Sequence, residues 1–124
     1  MKKLIFSFFL CGATMFPAFS QTYQELSERA VAATEQDSLS LAEKYIEQAL
    51  KMEPANPHNA LLFSNLGTIQ RWQHRYEQAL DSYTLALNIA PRAIPALMNR
   101  AALYLELGKD DLARIDYSLV LDIE

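Results

Sequence analysis

The sequence predicts an all-α fold, an α-solenoid of about three helical hairpins, and three observations carry that expectation. The chain matches itself at a fixed interval, its apolar residues recur at a helical period, and it holds only three glycines in 124 residues. At a shift of 34 residues Ala79 meets Ala113, Tyr83 meets Tyr117, Leu87 meets Leu121 and Ile89 meets Ile123. At a shift of 37, Ala42 meets Ala79, Ala49 meets Ala86, Leu50 meets Leu87 and Pro54 meets Pro91, with Pro57, His58 and Asn59 absorbing the difference. Self-similarity at this interval marks a two-helix unit that stacks on its neighbours. So few glycines argue against a sheet with many tight turns and against a glycine-rich phosphate loop.

Taken in order, residues 1–20 read as a secretory signal. Lys2 and Lys3 precede an apolar run from Leu4 to Phe16, Pro17 breaks it, and Ala18-Phe19-Ser20 offers cleavage before Gln21. The run is shorter than the ~18–20 residues that span a bilayer, which weighs against an uncleaved anchor. A lipoprotein carrying its lipid on Cys11 is the other reading, and there the bulky Phe9 and Leu10 stand where small residues are usual. The chain is therefore expected to be exported, periplasmic or secreted, with no membrane span once the signal is removed.

Helices are predicted near 23–36, 39–53, 57–73, 76–90, 94–107 and 110–123. Between 60 and 72 the apolar or small positions are Leu62, Phe63, Leu66, Gly67, Ile69 and Trp72; between 76 and 89 they are Ala79, Leu80, Tyr83, Ala86, Leu87 and Ile89. Both sets follow a 3.6-residue period. Gln73-His74-Arg75 is a short polar connector suited to an antiparallel pair. Pro54 and Pro91 end the second helix of their units, and Asn56 before Pro57 is a capping arrangement. The domain runs from 21 to 124, with units near 23–56, 60–93 and 94–124.

Composition excludes several function classes. The net charge is −4, and without Lys2 and Lys3 the remainder is more acidic still, so nucleic acid is not an expected partner. The single cysteine, Cys11, lies in the signal, leaving no disulfide to support the fold. His58 and His74 sit in different connectors with no cysteine nearby, and no metal or other cofactor is expected. Asp110-Asp111 opens a helix, where acidic residues favour the positive end of the dipole, and Asp116 and Asp122 read as exposed residues of the same helix. No nucleophile elbow is present, and no catalytic residue is assigned.

The residues of the middle unit carry a family resemblance. Phe63, Leu66, Gly67, Tyr76, Ala79, Tyr83, Ala86 and Pro91 stand where tetratricopeptide repeats place their signature residues. Leu97, Ala101, Tyr104, Gly108, Ala113 and Tyr117 do so in the third unit, and Leu26, Ala30, Ala42, Ile46, Ala49 and Pro54 remain in the first. The chain from Tyr23 to Glu124 thus resembles the tetratricopeptide repeat family, which implies a right-handed solenoid and a non-enzymatic scaffold. Physical size explains the same positions: Gly67, Ala79, Ala101 and Ala113 let helices approach closely, and Tyr83 and Tyr117 fill the space between units.

The resemblance also implies that first helices line a concave groove for a protein or peptide partner. On one face of those helices lie Leu61, Ser64, Asn65, Thr68 and Trp72, and then Met98, Asn99, Ala102 and Leu105. Trp72, Met98, Leu61 and Leu105 are the apolar anchors, Asn65 and Asn99 the amide hydrogen bonders; Trp72 can alternatively pack on its connector. Relatives that grip a C-terminal carboxylate use asparagine with lysine and arginine. Asn65 matches one such position, whereas Pro95 and Asn99 occupy places where cations are needed. The last helix adds a second apolar stripe, Leu112, Ile115, Leu119 and Ile123. It is a candidate surface for association with a second copy or with a partner, the rival explanation being a fragment of a longer array, so a structural, homo-oligomeric subunit is the alternative to a scaffold.

Overall fold

The computed structural model describes residues 21–124, so the signal segment, its cleavage site and Cys11 lie outside the described residues. Six helices follow one another: α1 (Tyr23–Glu35), α2 (Leu39–Met52), α3 (Asn59–Trp72), α4 (Tyr76–Ile89), α5 (Ile94–Glu106) and α6 (Asp110–Ile123). They pair as α1 with α2, α3 with α4 and α5 with α6, and the hairpins stack through α2–α3 and α4–α5. Among the described residues there is no strand.

Each helix begins and ends for a local reason. Thr22 accepts from the Glu25 amide while the Glu25 carboxylate takes the Thr22 amide, a reciprocal cap that starts α1. The third helix starts at Asn59, two residues later than the sequence places it. The chain first makes a tight turn in which Asn59 N–H donates to the Asn56 carbonyl and Ala60 N–H to that of Pro57. Asn56 does cap this turn, its side-chain oxygen accepting from the His58 amide at 2.8 Å.

The three hairpin connectors close alike. Asp37, His74 and Gly108 each take a positive φ (60°, 61° and 74°), and the next amide reaches back to Ala33, Gln70 and Tyr104 carbonyls at 2.8 Å. This left-handed closure satisfies carbonyls that the helix end leaves free. Aspartate and histidine tolerate the geometry better than branched residues, and Gly108 has none of the Cβ cost.

Small residues set the helix spacing, as expected. Ala79, Ala101 and Ala113 are fully buried, and a Cβ placed on Gly67 would lie 2.7 Å from ring atoms of Tyr83. Tyr83 does more than fill a gap between units. Its ring covers Gly67 in its own hairpin, it packs with Leu103 of the next, and its hydroxyl meets that of Thr68 at 2.9 Å. Burial is the main reason its pKa lies above the ordinary phenolic value.

Polar clasps join the units. Asn59 accepts from the Tyr23 hydroxyl at 2.6 Å and donates to the Glu53 carbonyl at 2.8 Å, tying α1, the end of α2 and α3 together. Asp116 corrects an expectation: it is 1% exposed, not a surface residue. Arg100 grips it with two bonds of 2.8 Å, donates to Thr84 on α4 and lies over the Tyr104 ring. A buried carboxylate requires such a partner, and the guanidinium fork supplies it. Asp110 and Asp111 are exposed at the start of α6, as expected.

The two ends of the stack differ. In the repeat register Leu62, Leu66 and Ile69 of α3, all buried, correspond to exposed Glu25, Arg29 and Ala32 of α1. At the other end Leu87, 7% exposed, corresponds to Leu121, which is 73% exposed. The first end thus exposes Glu25 and Arg29 in place of leucines, and the other exposes Leu121 together with Arg114, the counterpart of buried Leu80.

Candidate functional site

First helices form one side of the molecule, where three recesses run together. Between α1 and the turn that precedes α3, Tyr23, Gln24, Ser27, Glu28, Val31, Asn56 and His58 line the largest of the three. A second, sharing Val31, adds Thr34, Glu35, Asn65, Thr68 and Trp72. The third reaches α5 and shares His58, with Leu61, Ser64, Pro95 and Ala96 among its lining residues. The strip is continuous because Val31 and His58 each belong to two recesses.

Helical geometry decides which side chains reach this strip. Residues three and four apart on α3 share a face, so Leu61, Asn65, Thr68 and Trp72 line it in succession. Trp72 is 55% exposed and faces the α1–α3 recess. Its neighbour Arg71 turns the other way and donates to Glu106 on α5. Thr68 is shared, since its hydroxyl also contacts Tyr83.

The expected site residues do not all come together. Leu61, Ser64, Asn65, Thr68 and Trp72 line the strip, although Ser64 is mostly buried. Met98 is exposed on α5, and Asn99 and Ala102 are half-buried there. Leu105 belongs elsewhere: it lines a recess at the far end with Asp110, Ala113, Arg114, Tyr117, Ser118 and Leu121. On the last helix Leu112, Ile115 and Leu119 are exposed. Ile123 is turned inward, packed against the cluster of Ala86, Leu87, Ala96, Leu97 and Val120.

Sequence reasoning missed the contribution of α1. Tyr23, Glu28, Val31 and Glu35 fall in the most degenerate unit, where few signature residues mark the register. The spacing of Gln24, Glu28, Val31 and Glu35, which repeats that of Leu61, Asn65, Thr68 and Trp72 at a shift of 37, is the signal that would have found them.

Electrostatically the strip leans acidic, with Glu28 and Glu35 on α1. Tyr23 has a raised pKa, chiefly from burial and then from the nearby Glu53 charge, so its hydroxyl stays protonated and serves as the donor to Asn59. His58 sits with its ring edge-on to Tyr23 at 6.1 Å between centroids. Among the described residues no cluster of His, Cys, Asp and Glu has a metal-binding arrangement, and no helix is long and apolar enough to cross a membrane.

Comparison with known proteins places this geometry. A tetratricopeptide repeat protein from Parabacteroides merdae superposes with a TM-score of 0.78 at 44% identity, over 82% of this chain and 40% of its own. The chain is a tetratricopeptide repeat protein. No protein-family model matches the sequence. A UDP-N-acetylglucosamine–peptide N-acetylglucosaminyltransferase of Giardia intestinalis is 30% identical over 95 residues, which cover 77% of this chain and 6% of that enzyme. The tetratricopeptide chain thus spans well under half the length of both relatives. The second tetratricopeptide domain of Spaghetti, bound to the HSP90 peptide SRMEEVD, shares the fold at a TM-score of 0.75 and 23% identity, over 84% of this chain and 94% of its own.

Proposed function

We propose that the chain is a non-enzymatic scaffold that, after export to the cell envelope, holds a peptide or protein partner in the groove of its first helices. The observation that carries this reading is the continuous strip from Trp72 through Val31 and His58 to Leu61, in which the apolar Trp72, Val31 and Leu61 lie open beside the amide of Asn65. Apolar anchors flanked by polar groups suit peptide recognition. The Spaghetti domain, which shares the fold and is bound to a peptide, supports a peptide-holding role. Export is supported by Lys2, Lys3 and the apolar run that follows them.

A second reading has its own support: Leu112, Ile115 and Leu119 form an exposed stripe on α6, and Leu121 is open beside it. Exposed apolar area of this kind marks association surfaces, so the chain would build an oligomer through its last helix.

One experiment separates the two. Peptides are selected from a displayed library on residues 21–124, then measured against Trp72→Ala/Met98→Ala and against Leu112→Ser/Ile115→Ser/Leu119→Ser, with light-scattering mass recorded for each. The scaffold reading expects the first variant to weaken selected peptides at least about tenfold, ~1.4 kcal/mol, at unchanged mass. Assembly predicts a mass that falls in the second variant alone. Selected peptides that bind the groove variant as well as the parent would sink the groove.

A further inference from the structure

We infer that the recess between α1 and α3 is a seat for a lysine or arginine side chain, so that the partner segment is basic; this rests on the groove reading above. The recess joins three kinds of surface that a long cationic side chain needs. Trp72 presents an open indole, Val31 an aliphatic wall, and Glu35 an exposed carboxylate. A cation gains over the face of an aromatic ring, and the methylene stem of lysine or arginine covers apolar surface while its head stays polar.

The charge on Glu35 is not spent within the molecule. Among the described residues it has no ion-pair partner, and the cation nearest Trp72 in the chain, Arg71, is committed to Glu106. The polar walls, Asn65 and Thr68, carry no charge that would oppose a cation.

A second carboxylate gives the segment its spacing. Glu28 lies seven residues before Glu35 on α1, about 10 Å along the helix axis. It lines the adjoining recess, which shares Val31, and one of its oxygens takes a bond from Gln24 at 3.0 Å. An extended peptide covers about 10 Å in about three residues. The groove therefore matches two basic residues three apart, one over Trp72 beside Glu35 and one near Glu28. This is opposite in charge to the glutamate-rich SRMEEVD that the Spaghetti domain holds.

Trp72 is the single tryptophan in the chain, so intrinsic fluorescence reports this recess directly. Capped octapeptides carrying Lys at two positions three apart in an Ala/Leu background are titrated against residues 21–124 at low salt. Matched peptides with Glu or with Leu at those positions, and spermidine alone, are the comparisons. The basic peptide is expected to shift the Trp72 emission and to bind at least about tenfold more tightly than either matched peptide. Glu35→Gln is expected to erase most of that preference and Glu28→Gln a smaller part, with the preference also fading as salt rises. Equal binding of Lys and Leu peptides at the groove overturns the cationic seat while leaving the scaffold standing. Spermidine that binds as tightly as the peptide also overturns it. Failure of every peptide, together with a failed library selection, removes the groove reading itself.

Discussion

Gly67 owes its place to the ring of Tyr83, and that contact was partly legible in the sequence. The repeat register marked Gly67, Ala79, Ala101 and Ala113 as sites of close approach, because only small side chains recur there. What the register could not show was which ring lay over the glycine, since that depends on how α4 is rotated against α3. A methyl group at Gly67 would fall 2.7 Å from two ring carbons. Alanine is favoured over glycine within a helix by ~0.5–1 kcal/mol, whereas overpacking costs ~1–3 kcal/mol. We expect Gly67→Ala to lower stability by a net ~1–2 kcal/mol in urea unfolding; an unchanged or raised midpoint would show that the Tyr83 ring gives way freely. Gly108, by contrast, has open space around it and is needed for its φ.

Between elements, Arg100 clasps the buried carboxylate of Asp116 with two bonds, which fixes α5 against α6, and it also reaches Thr84 on α4. Asp116 looked like a surface residue in the sequence because its neighbours in the repeat, Tyr45 and Ser82, carry no charge to signal an ion pair. The match is visible only when the helices are brought together, since Arg100 and Asp116 lie on different helices. Removing one member of a buried pair leaves the other charge without compensation, at a cost of ~3–5 kcal/mol. Asp116→Ala should therefore unfold the third hairpin first, read as faster amide exchange in α5 and α6 than in α3. Uniform exchange across all six helices would count against a local clasp. Helix positions themselves were read closely from periodicity and prolines; the late start of α3 was not, because the Asn56–Pro57 turn satisfies its own bonds before the helix begins.

For the molecule as a whole, stacking explains why the fold was the most legible feature. Each hairpin leaves an apolar face that only a neighbour can cover, so the interval of the repeat predicts the architecture. The groove was less legible, since half of it belongs to α1, where the signature has decayed to Leu26 and Ala30. The export proposed above concerns the entire chain, and it has a direct measurement. Protein recovered from the envelope of an expressing cell is expected to have the intact mass of a chain beginning at Gln21. A mass including Met1–Ser20, or one raised by acyl groups on a chain beginning at Cys11, would replace that cleavage with an anchor.

The exposed row of Leu112, Ile115 and Leu119 also limits what the assembly reading can build. If copies combine as that reading proposes, the same row on two molecules can meet about a twofold axis, and a pair made that way is closed instead of open-ended.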